Sequence, residues 1–251
     1  MTRQWNGQGT DYTIDWAGSS WTLRLAGEER PGLYLAGHDE TPCLVLAGLA
    51  SEGRLSTDPF QGTSLSRVER RGNRIEATYL PNGWNGLRVR AAWQPHADDA
   101  VDLEITTWTR DPEPTRSLEV LLGDAWSSVE DGPRHVEPRD RLAAGSSYDG
   151  RESNLVGLTT GPVHGETPLD PLPSEIAGLS YVELVSSQDV ARRVGRWTPN
   201  LGLALFGFDL ERGVTLRGRI RGVLLQPGAD LESRIDAEAD RFFHEPPPLG
   251  R

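Results

Sequence analysis

Two neighbouring stretches decide the fold: Leu87–Trp93, with the sequence LRVRAAW, and Val101–Thr109, with the sequence VDLEITTWT. In the first stretch, apolar residues alternate with Arg88 and Arg90. In the second, an apolar set alternates with a polar set made of Asp102, Glu104 and Thr106. A period of two is typical of a β-strand with one face in the core and the other toward solvent. The acidic turn at residues 95–99 favours antiparallel pairing of the two strands.

The same alternation recurs along most of the chain, in short runs separated by Gly, Pro, Asn and Asp. We count roughly 14 to 17 strands, too many for one open sheet, which would curl or split into two layers. The sequence therefore predicts an all-β protein: a large antiparallel two-sheet β-sandwich, forming one domain over residues 1–251. Cys43–Leu49 is predicted as one buried strand, and residues 233–240 as a strand in preference to a short helix.

The composition excludes several functions. The net charge of −11 disfavours nucleic acids and anionic membranes as partners. All 26 basic residues are arginine, which rules out Schiff-base chemistry and a P-loop lysine. The one cysteine, Cys43, lies in an apolar run and is expected to pack as a small hydrophobe, so a multi-cysteine zinc site is excluded.

The N-terminal residues and the hydropathy of the chain indicate the cellular location to expect. Residues 1–7 contain no apolar segment of the signal-peptide type, and no stretch approaches 18 apolar residues. We therefore expect a cytoplasmic protein with no membrane span. Nothing in the sequence indicates the oligomeric state.

The stretch from Leu87 to Thr109, followed by Pro112, Pro114 and another strand, resembles the central strands of the galactose mutarotase-like supersandwich. The resemblance extends over about residues 12–245 and concerns strand length, strand density and the scarcity of helices. Members of this superfamily include aldose 1-epimerases, related sugar epimerases, and sandwich domains of glycosidases and lyases. The resemblance implies a small-molecule sugar or oligosaccharide as ligand, and possible isomerase activity is an expectation that follows from it.

Opening a hexose ring needs one group to take the C1-hydroxyl proton and another to protonate the ring oxygen. The segment Asn-His-x-Tyr-Phe-Asn, which aldose 1-epimerases usually carry around a site histidine, does not occur here, so the sequence around each histidine decides whether it is a candidate. Two histidines in the loosely patterned middle of the chain each precede a glutamate by two positions, and these are the catalytic candidates: His135 with Glu137 and His164 with Glu166.

A row of arginines is the clearest binding candidate. Arg217, Arg219 and Arg221 alternate along one predicted strand, so the three guanidinium groups should line one face over about 14 Å. They could bind carboxylates, phosphates or sugar hydroxyls. The alternative is a cross-strand ladder in which acidic side chains, such as Glu232, pair with them. Two glycines adjacent to these arginines, Gly218 and Gly222, indicate close approach by another group.

Aromatic rings provide the remaining candidates, because sugars stack their apolar faces on flat rings. Trp126, Tyr148 and Trp197 lie in or near the loosely patterned middle of the chain. Three hypotheses follow. The first is a sugar epimerase or mutarotase, the second a non-catalytic carbohydrate-binding sandwich that uses the arginine row and tryptophans and could take anionic sugars, and the third a structural or partner-binding protein. No metal and no cofactor is expected for any of them.

Overall fold

The computed structural model describes residues 4–84, 86–96, 99–123, 174–176, 178–186, 188–194 and 202–245. These residues form seventeen strands and one α-helix, and every paired strand is antiparallel. The prediction of an all-β antiparallel sandwich is confirmed, although the strands divide into three sheets and not two. No helix in the described ranges is long and apolar enough to cross a membrane.

The first sheet is a five-stranded meander at the start of the chain. Its alternation is regular: in Asp11–Trp16 every second residue is buried and the residues between are exposed. The strands lie in sequence order: β1 (Asn6–Gln8), β2 (Asp11–Trp16), β3 (Ser19–Arg24), β4 (Gly32–Leu35) and β5 (His38–Cys43).

The second sheet has seven strands and contains the two stretches that led the sequence analysis. Their pairing is confirmed: Leu87 lies opposite Thr109 and Pro95 lies opposite Val101. In spatial order the strands are β13 (Ser174–Ile176), β14 (Leu179–Val185), β17 (Thr215–Leu225), β11 (Ala100–Thr109), β10 (Leu87–Pro95), β9 (Arg74–Tyr79) and β8 (Leu65–Arg71).

The third sheet again has five strands. It takes strands from distant parts of the chain, with β12 pairing on one side with β6 and on the other with β16. In spatial order the strands are β15 (Val190–Val194), β16 (Gly202–Leu210), β12 (Thr115–Leu122), β6 (Leu46–Ser51) and β7 (Arg54–Ser56).

One large hydrophobic cluster draws side chains from all three sheets, for example Ile14, Val89 and Leu205. Burying apolar side chains of this size stabilises a fold by about 1.5 to 3 kcal/mol each. The apolar face of the seven-stranded sheet therefore points into the core. Its opposite face, which we call the outer face, carries the polar residues of β9, β10, β11 and β17.

Two predictions of strand boundaries were wrong. The run Cys43–Leu49 is not one strand, because β5 ends at Cys43, Leu44 adopts a φ of 50°, and β6 begins at Leu46 in another sheet. The left-handed residue turns the chain from the first sheet to the third. Its carbonyl accepts a hydrogen bond of 3.2 Å from the indole of Trp93. Cys43 is fully buried, as expected, and burial raises the pKa of its thiol.

The segment predicted as a strand at residues 233–240 is helical, within α1 (Leu231–His244). Ile235, Ala239 and Phe242 occur at helical spacing and are buried against part of the outer face, where Val182 and Val223 lie. The alternation of Ile235, Ala237 and Ala239 imitates a strand. The helix prevails because half of its fourteen residues are strong helix formers and its apolar side meets an uncovered sheet surface.

Candidate functional site

The candidate site lies on the outer face of the seven-stranded sheet. The register of β11 against β17 determines which charged side chains are neighbours there. Asp102 lies opposite Arg221, Glu104 opposite Arg219, and Thr106 opposite Arg217. Side chains on directly opposed residues of antiparallel strands lie within about 5 Å at their Cβ atoms. The arginine row of β17 therefore runs beside an acidic row of β11.

Within the arginine row, Arg221 has a fully buried side chain. Its Nε and Nη2 donate hydrogen bonds of 2.6 and 3.0 Å to the two carboxylate oxygens of Asp102, and Nη2 also donates to Glu245 at 2.7 Å. Burial alone would lower the pKa of this guanidinium, but the two carboxylates outweigh burial and raise the pKa. Arg221 thus has its charge neutralised inside the protein.

Arg217 is paired differently, through a carboxylate shared by two arginines. Glu104 is 2% exposed and accepts hydrogen bonds from Arg217 at 2.6 Å and from Arg74 at 2.9 Å. Arg74 also contacts Glu76 at 2.7 Å. The ladder alternative is therefore present in the structure. Its acids come from β11, whereas Glu232, the partner suggested from sequence, lies in the first turn of α1.

Arg219 connects the sheet to the end of α1. Its Nη2 donates to the backbone carbonyls of Phe242 at 2.7 Å and Glu245 at 3.1 Å. The guanidinium carbon lies 4.4 Å from the centre of the Phe242 ring. Carbonyls at a helix C-terminus have no partner within the helix, so a cation there stabilises them. Arg219 therefore holds the last turn of α1 against the sheet, and burial lowers its pKa.

Glu245 follows α1 directly and contacts charged residues on the same part of the outer face. Its Oε2 pairs with Arg221 and its Oε1 lies 3.1 Å from Nε2 of His96, in the turn between β10 and β11. Burial alone would raise the pKa of this carboxyl, but Arg221 and His96 outweigh it, so the pKa is lowered.

A gap opens in the sheet where β14 ends. In the described part of the chain, the pairing of β14 with β17 stops at Val185 opposite Ile220, one residue before the position of Arg219. The carboxylate of Asp189, in the turn after β14, faces the Arg219 amide at 3.4 Å. Burial raises the pKa of Asp189, and the Arg219 amide and charge offset this only in part.

These elements enclose an open cleft of about 440 Å³ between the end of β14, the start of β17 and the end of α1. A volume of this size is in the range of small-ligand sites. The lining combines carboxylates, guanidinium groups, small polar groups and two aromatic rings: Glu104, Asp189, Glu245, Arg217, Arg219, Ser186, Gln188, Gly218, Phe242 and Phe243.

Most of the residues predicted for the site lie outside the described residues. These are His135, Glu137, His164, Glu166, Trp126, Tyr148 and Trp197, for which catalytic and stacking roles stay predictions. Of the arginine row, Arg217 and Arg219 line the cleft, and Arg221 lies behind it in the pair with Asp102. The spacing did bring the three guanidinium groups to one face.

Sequence analysis missed the acidic and aromatic members of the cleft. Glu104 belongs to the polar set of its strand, and this pattern marks it as a site residue once the strand is placed beside β17. Phe242 and Phe243 were not found because residues 233–240 were predicted as a strand. Asp189 sits in an ordinary turn, and no local signal marks it.

The two glycines of the arginine row receive rings on the core side of the sheet. A Cβ on Gly222 would lie 3.0 Å from the ring and hydroxyl of Tyr181, and one on Gly218 would lie 3.2 Å from Phe206. The close approach expected from the sequence is therefore packing by the protein's own aromatic side chains.

A second buried polar group lies under the same sheet, away from the cleft. Tyr181 donates a hydrogen bond of 2.7 Å to Glu183. Burial raises the pKa of Glu183 to about 7, against the opposing effects of the Tyr181 hydroxyl and the Leu44 backbone.

Among the described residues, no set of three or more His, Cys, Asp or Glu side chains could hold a metal ion.

Comparisons with known proteins give a likeness of shape. No protein-family model matches the chain, and no curated protein matches it. Among solved structures, heparan sulfate lyase HepC from Pedobacter heparinus aligns at 9% identity with a TM-score of 0.41, over 89% of this chain and 37% of the lyase.

Two further structures align in the same way. The Slr1438 protein from Synechocystis sp. PCC 6803 aligns at 10% identity and a TM-score of 0.41, over 88% of this chain and 99% of its own. A candidate kojibiose phosphorylase from the human microbiome aligns at 10% identity and a TM-score of 0.44, over 96% of this chain. This chain spans about a third of that phosphorylase (33%) and of the lyase (37%).

Proposed function

We propose that this chain binds a carbohydrate in the cleft between β17 and the end of α1. The observation that carries the proposal is the composition of the lining, in which acceptors from Glu104 and Asp189 lie among donors from Arg217 and Gln188. A sugar hydroxyl both donates and accepts a hydrogen bond, so it needs both kinds of partner close together.

The charges of the cleft favour a neutral sugar unit at this position. Arg217 is already bonded to Glu104, and Arg219 is bonded to carbonyls of the α1 terminus. Three carboxylates and two guanidinium groups line the cleft, so an added anion would meet no net positive charge there. Hydroxyl groups, in contrast, can share the charged donors and acceptors without displacing the ion pairs.

Phe243 supplies the apolar surface that a sugar ring needs. It is partly exposed at the wall of the cleft, whereas its neighbour Phe242 is 3% exposed and packs under Arg219. An aromatic ring presented in this way stacks on the C–H face of a pyranose, which adds apolar burial to the polar contacts.

A second candidate function is sugar mutarotation or epimerisation, and Asp189 is the observation that favours it. Asp189 has a raised pKa in a half-buried position, while Glu104 is clamped between two arginines. Two carboxylates in unlike surroundings are a common arrangement for an acid and a base. The roles predicted for His135 and His164 belong to the same proposal.

Binding is tested by saturation-transfer difference NMR with a panel of neutral mono- and oligosaccharides. We expect transfer to at least one sugar, and loss of it in Phe243→Ala and Asp189→Asn. The matched controls are Phe208→Ala, a phenylalanine 42% exposed and outside the cleft lining, and Asp15→Asn on an exposed strand position. Equal signals in the cleft variants and the controls would remove this cleft as the site.

Catalysis is tested with freshly dissolved α-glucose and α-galactose, followed by proton NMR as the anomers equilibrate. Acceleration that disappears in Asp189→Asn, but persists in Asp15→Asn, would support the second candidate. Binding without acceleration for either sugar would leave the chain as a non-catalytic carbohydrate-binding sandwich.

A further inference from the structure

Five strands of the seven-stranded sheet present more arginines than carboxylates on the outer face. On strands β8, β9, β10, β11 and β17, the register places eight arginines and four carboxylates on this face. The arginines are Arg67, Arg71, Arg74, Arg88, Arg90, Arg217, Arg219 and Arg221; the carboxylates are Glu69, Glu76, Asp102 and Glu104. A locally basic surface on a chain of net charge −11 concentrates anions that the rest of the surface repels.

Two of these arginines differ from the others in their surroundings. Arg74, Arg217 and Arg221 each contact a carboxylate. Within the described residues, Arg88 and Arg90 of β10 contact none. Arg90 reaches only the hydroxyl of Thr106, at 3.4 Å, and its buried Nε has no partner among those residues. In the part of the chain that the structure describes, neither guanidinium group is paired with a carboxylate, so both can bind an anion at this point of the face.

A tryptophan lies directly beside them. Trp108 of β11 is opposite Arg88 on one side and Thr215 on the other, and it is partly exposed. It belongs to the polar, outward set of its strand, together with Glu104 and Thr106, although it is the largest apolar side chain there. An indole on the solvent side of a strand, next to arginines, combines a stacking surface with charged donors.

This patch, made of Arg88, Arg90 and Trp108, adjoins the cleft. Arg217, which lines the cleft, lies opposite Thr106, and Thr106 lies opposite Arg90. Two strand spacings separate the β10 and β17 backbones, which is about 10 Å. A ligand of two or more linked sugar units can therefore contact the cleft and the patch at once.

We propose that the patch of Arg88, Arg90 and Trp108 is a subsite for an acidic sugar unit, one bearing a carboxylate or sulfate group. The inference rests on the proposed carbohydrate function and narrows its substrate class to acidic oligosaccharides. The guanidinium forks of Arg88 and Arg90 bind the anionic group, and the Trp108 indole stacks on the ring that bears it. The cleft then receives the adjoining unit.

The test measures affinity by isothermal titration calorimetry on the full chain with three ligands of equal length: a neutral oligoglucoside, an oligogalacturonate and a sulfated oligosaccharide. The variant is Arg88→Gln/Arg90→Gln. Its charge-matched control is Arg70→Gln/Arg234→Gln, because Arg70 faces away from the outer face opposite Ile75 and Arg234 lies on α1. Trp108→Ala tests the ring separately.

We expect an acidic ligand to bind more tightly than the neutral one, and the variant to lose at least about tenfold in affinity for it, because each lost contact is a hydrogen bond to a charged group. The neutral ligand should bind the variant and the control alike. Preference for oligogalacturonate or for the sulfated ligand identifies the anionic group, and Trp108→Ala should weaken either one.

Two results would overturn the subsite while leaving the cleft in place: neutral and acidic ligands of equal affinity, or equal losses in the variant and its control. Binding of no sugar at all would instead overturn the proposed function. Competition by a DNA oligonucleotide as strong as by the acidic glycan would show an unspecific anion surface and would also reject the subsite.

Discussion

Arg221 and Asp102 face each other on adjacent strands and are joined by two parallel hydrogen bonds of 2.6 and 3.0 Å, with the arginine side chain fully buried. This pair lies behind the cleft and fixes the register of β17 against β11. Because the register decides which side chains stand beside each other on the outer face, the pair also positions Glu104 and Arg217.

Removing one member of this pair should destabilise the protein strongly. Arg221→Met leaves Asp102 without the arginine that it contacts, and we expect a loss of about 3 kcal/mol or more in the free energy of unfolding. The double variant Arg221→Met/Asp102→Leu should lose less than the single one, since the buried Asp102 carboxylate is then no longer left uncompensated and Glu245 keeps its contact with His96. Urea unfolding measures both. Arg116→Met, which breaks an exposed pair with Asp209, should leave the urea midpoint nearly unchanged, because solvent screens the charges of an exposed pair.

Glu183 should make the stability depend on pH. Its pKa is about 7 in the folded protein against 4.5 for the unperturbed group, so the folded state holds a proton that the unfolded chain releases between these values. The contribution of Glu183 to the free energy of unfolding is greatest below pH 4.5. It falls as the pH rises toward 7, by about 3 kcal/mol at most.

The measurement for Glu183 is denaturant unfolding at pH 5 and pH 8. Glu183→Gln, which still accepts the Tyr181 hydrogen bond, should show a smaller decrease in stability between the two pH values than the parent protein. An unchanged pH dependence in this variant would assign the effect to other groups.

Gly222 should not tolerate a larger side chain. A methyl group there would lie 3.0 Å from the buried Tyr181 ring and 3.3 Å from Leu44, and neither can move without disturbing the core. We expect Gly222→Ala to lose about 1 to 3 kcal/mol in thermal or urea unfolding. Gly228→Ala is the control, because its near neighbour is the carboxylate end of Asp230, a flexible exposed side chain.

Arg219 should govern the order of the last turn of α1. Arg219→Met removes the two hydrogen bonds to the carbonyls of Phe242 and Glu245, so amide protons near the end of the helix should exchange faster. Hydrogen exchange followed by mass spectrometry measures this on peptides from residues 231–245. Unchanged exchange there would mean that apolar packing of Ile235 and Phe242 suffices to hold the helix.

Local patterns predicted much of the outer face. Alternation correctly placed Arg217, Arg219 and Arg221 on one side of a strand, and Asp102, Glu104 and Thr106 on one side of another. It could not show that these strands are neighbours, because more than a hundred residues separate them. The suggested partner Glu232 was wrong for this reason: it is near the arginine row in sequence, and Asp102 is near it in space.

The segment that forms α1 also shows that a local pattern does not reveal which elements pack together. Its apolar residues fit both a strand and a helix over residues 233–240, and only the uncovered sheet surface at Val182 and Val223 distinguishes the two. Phe242 and Phe243 consequently went unrecognised as part of a site. The cleft could be assembled only after the helix was in place.

The sequence by itself determined the strand class of this protein, the side of each strand on which its charges stand, and the absence of lysine chemistry, because side-chain alternation and composition depend only on consecutive residues. Only the tertiary structure decided that β14 leaves β17 at Val185, that Asp189 accepts a hydrogen bond from the Arg219 amide, and that α1 closes one end of the cleft. Those contacts join residues far apart in the chain, and their free energy depends on burial and register that no local pattern contains.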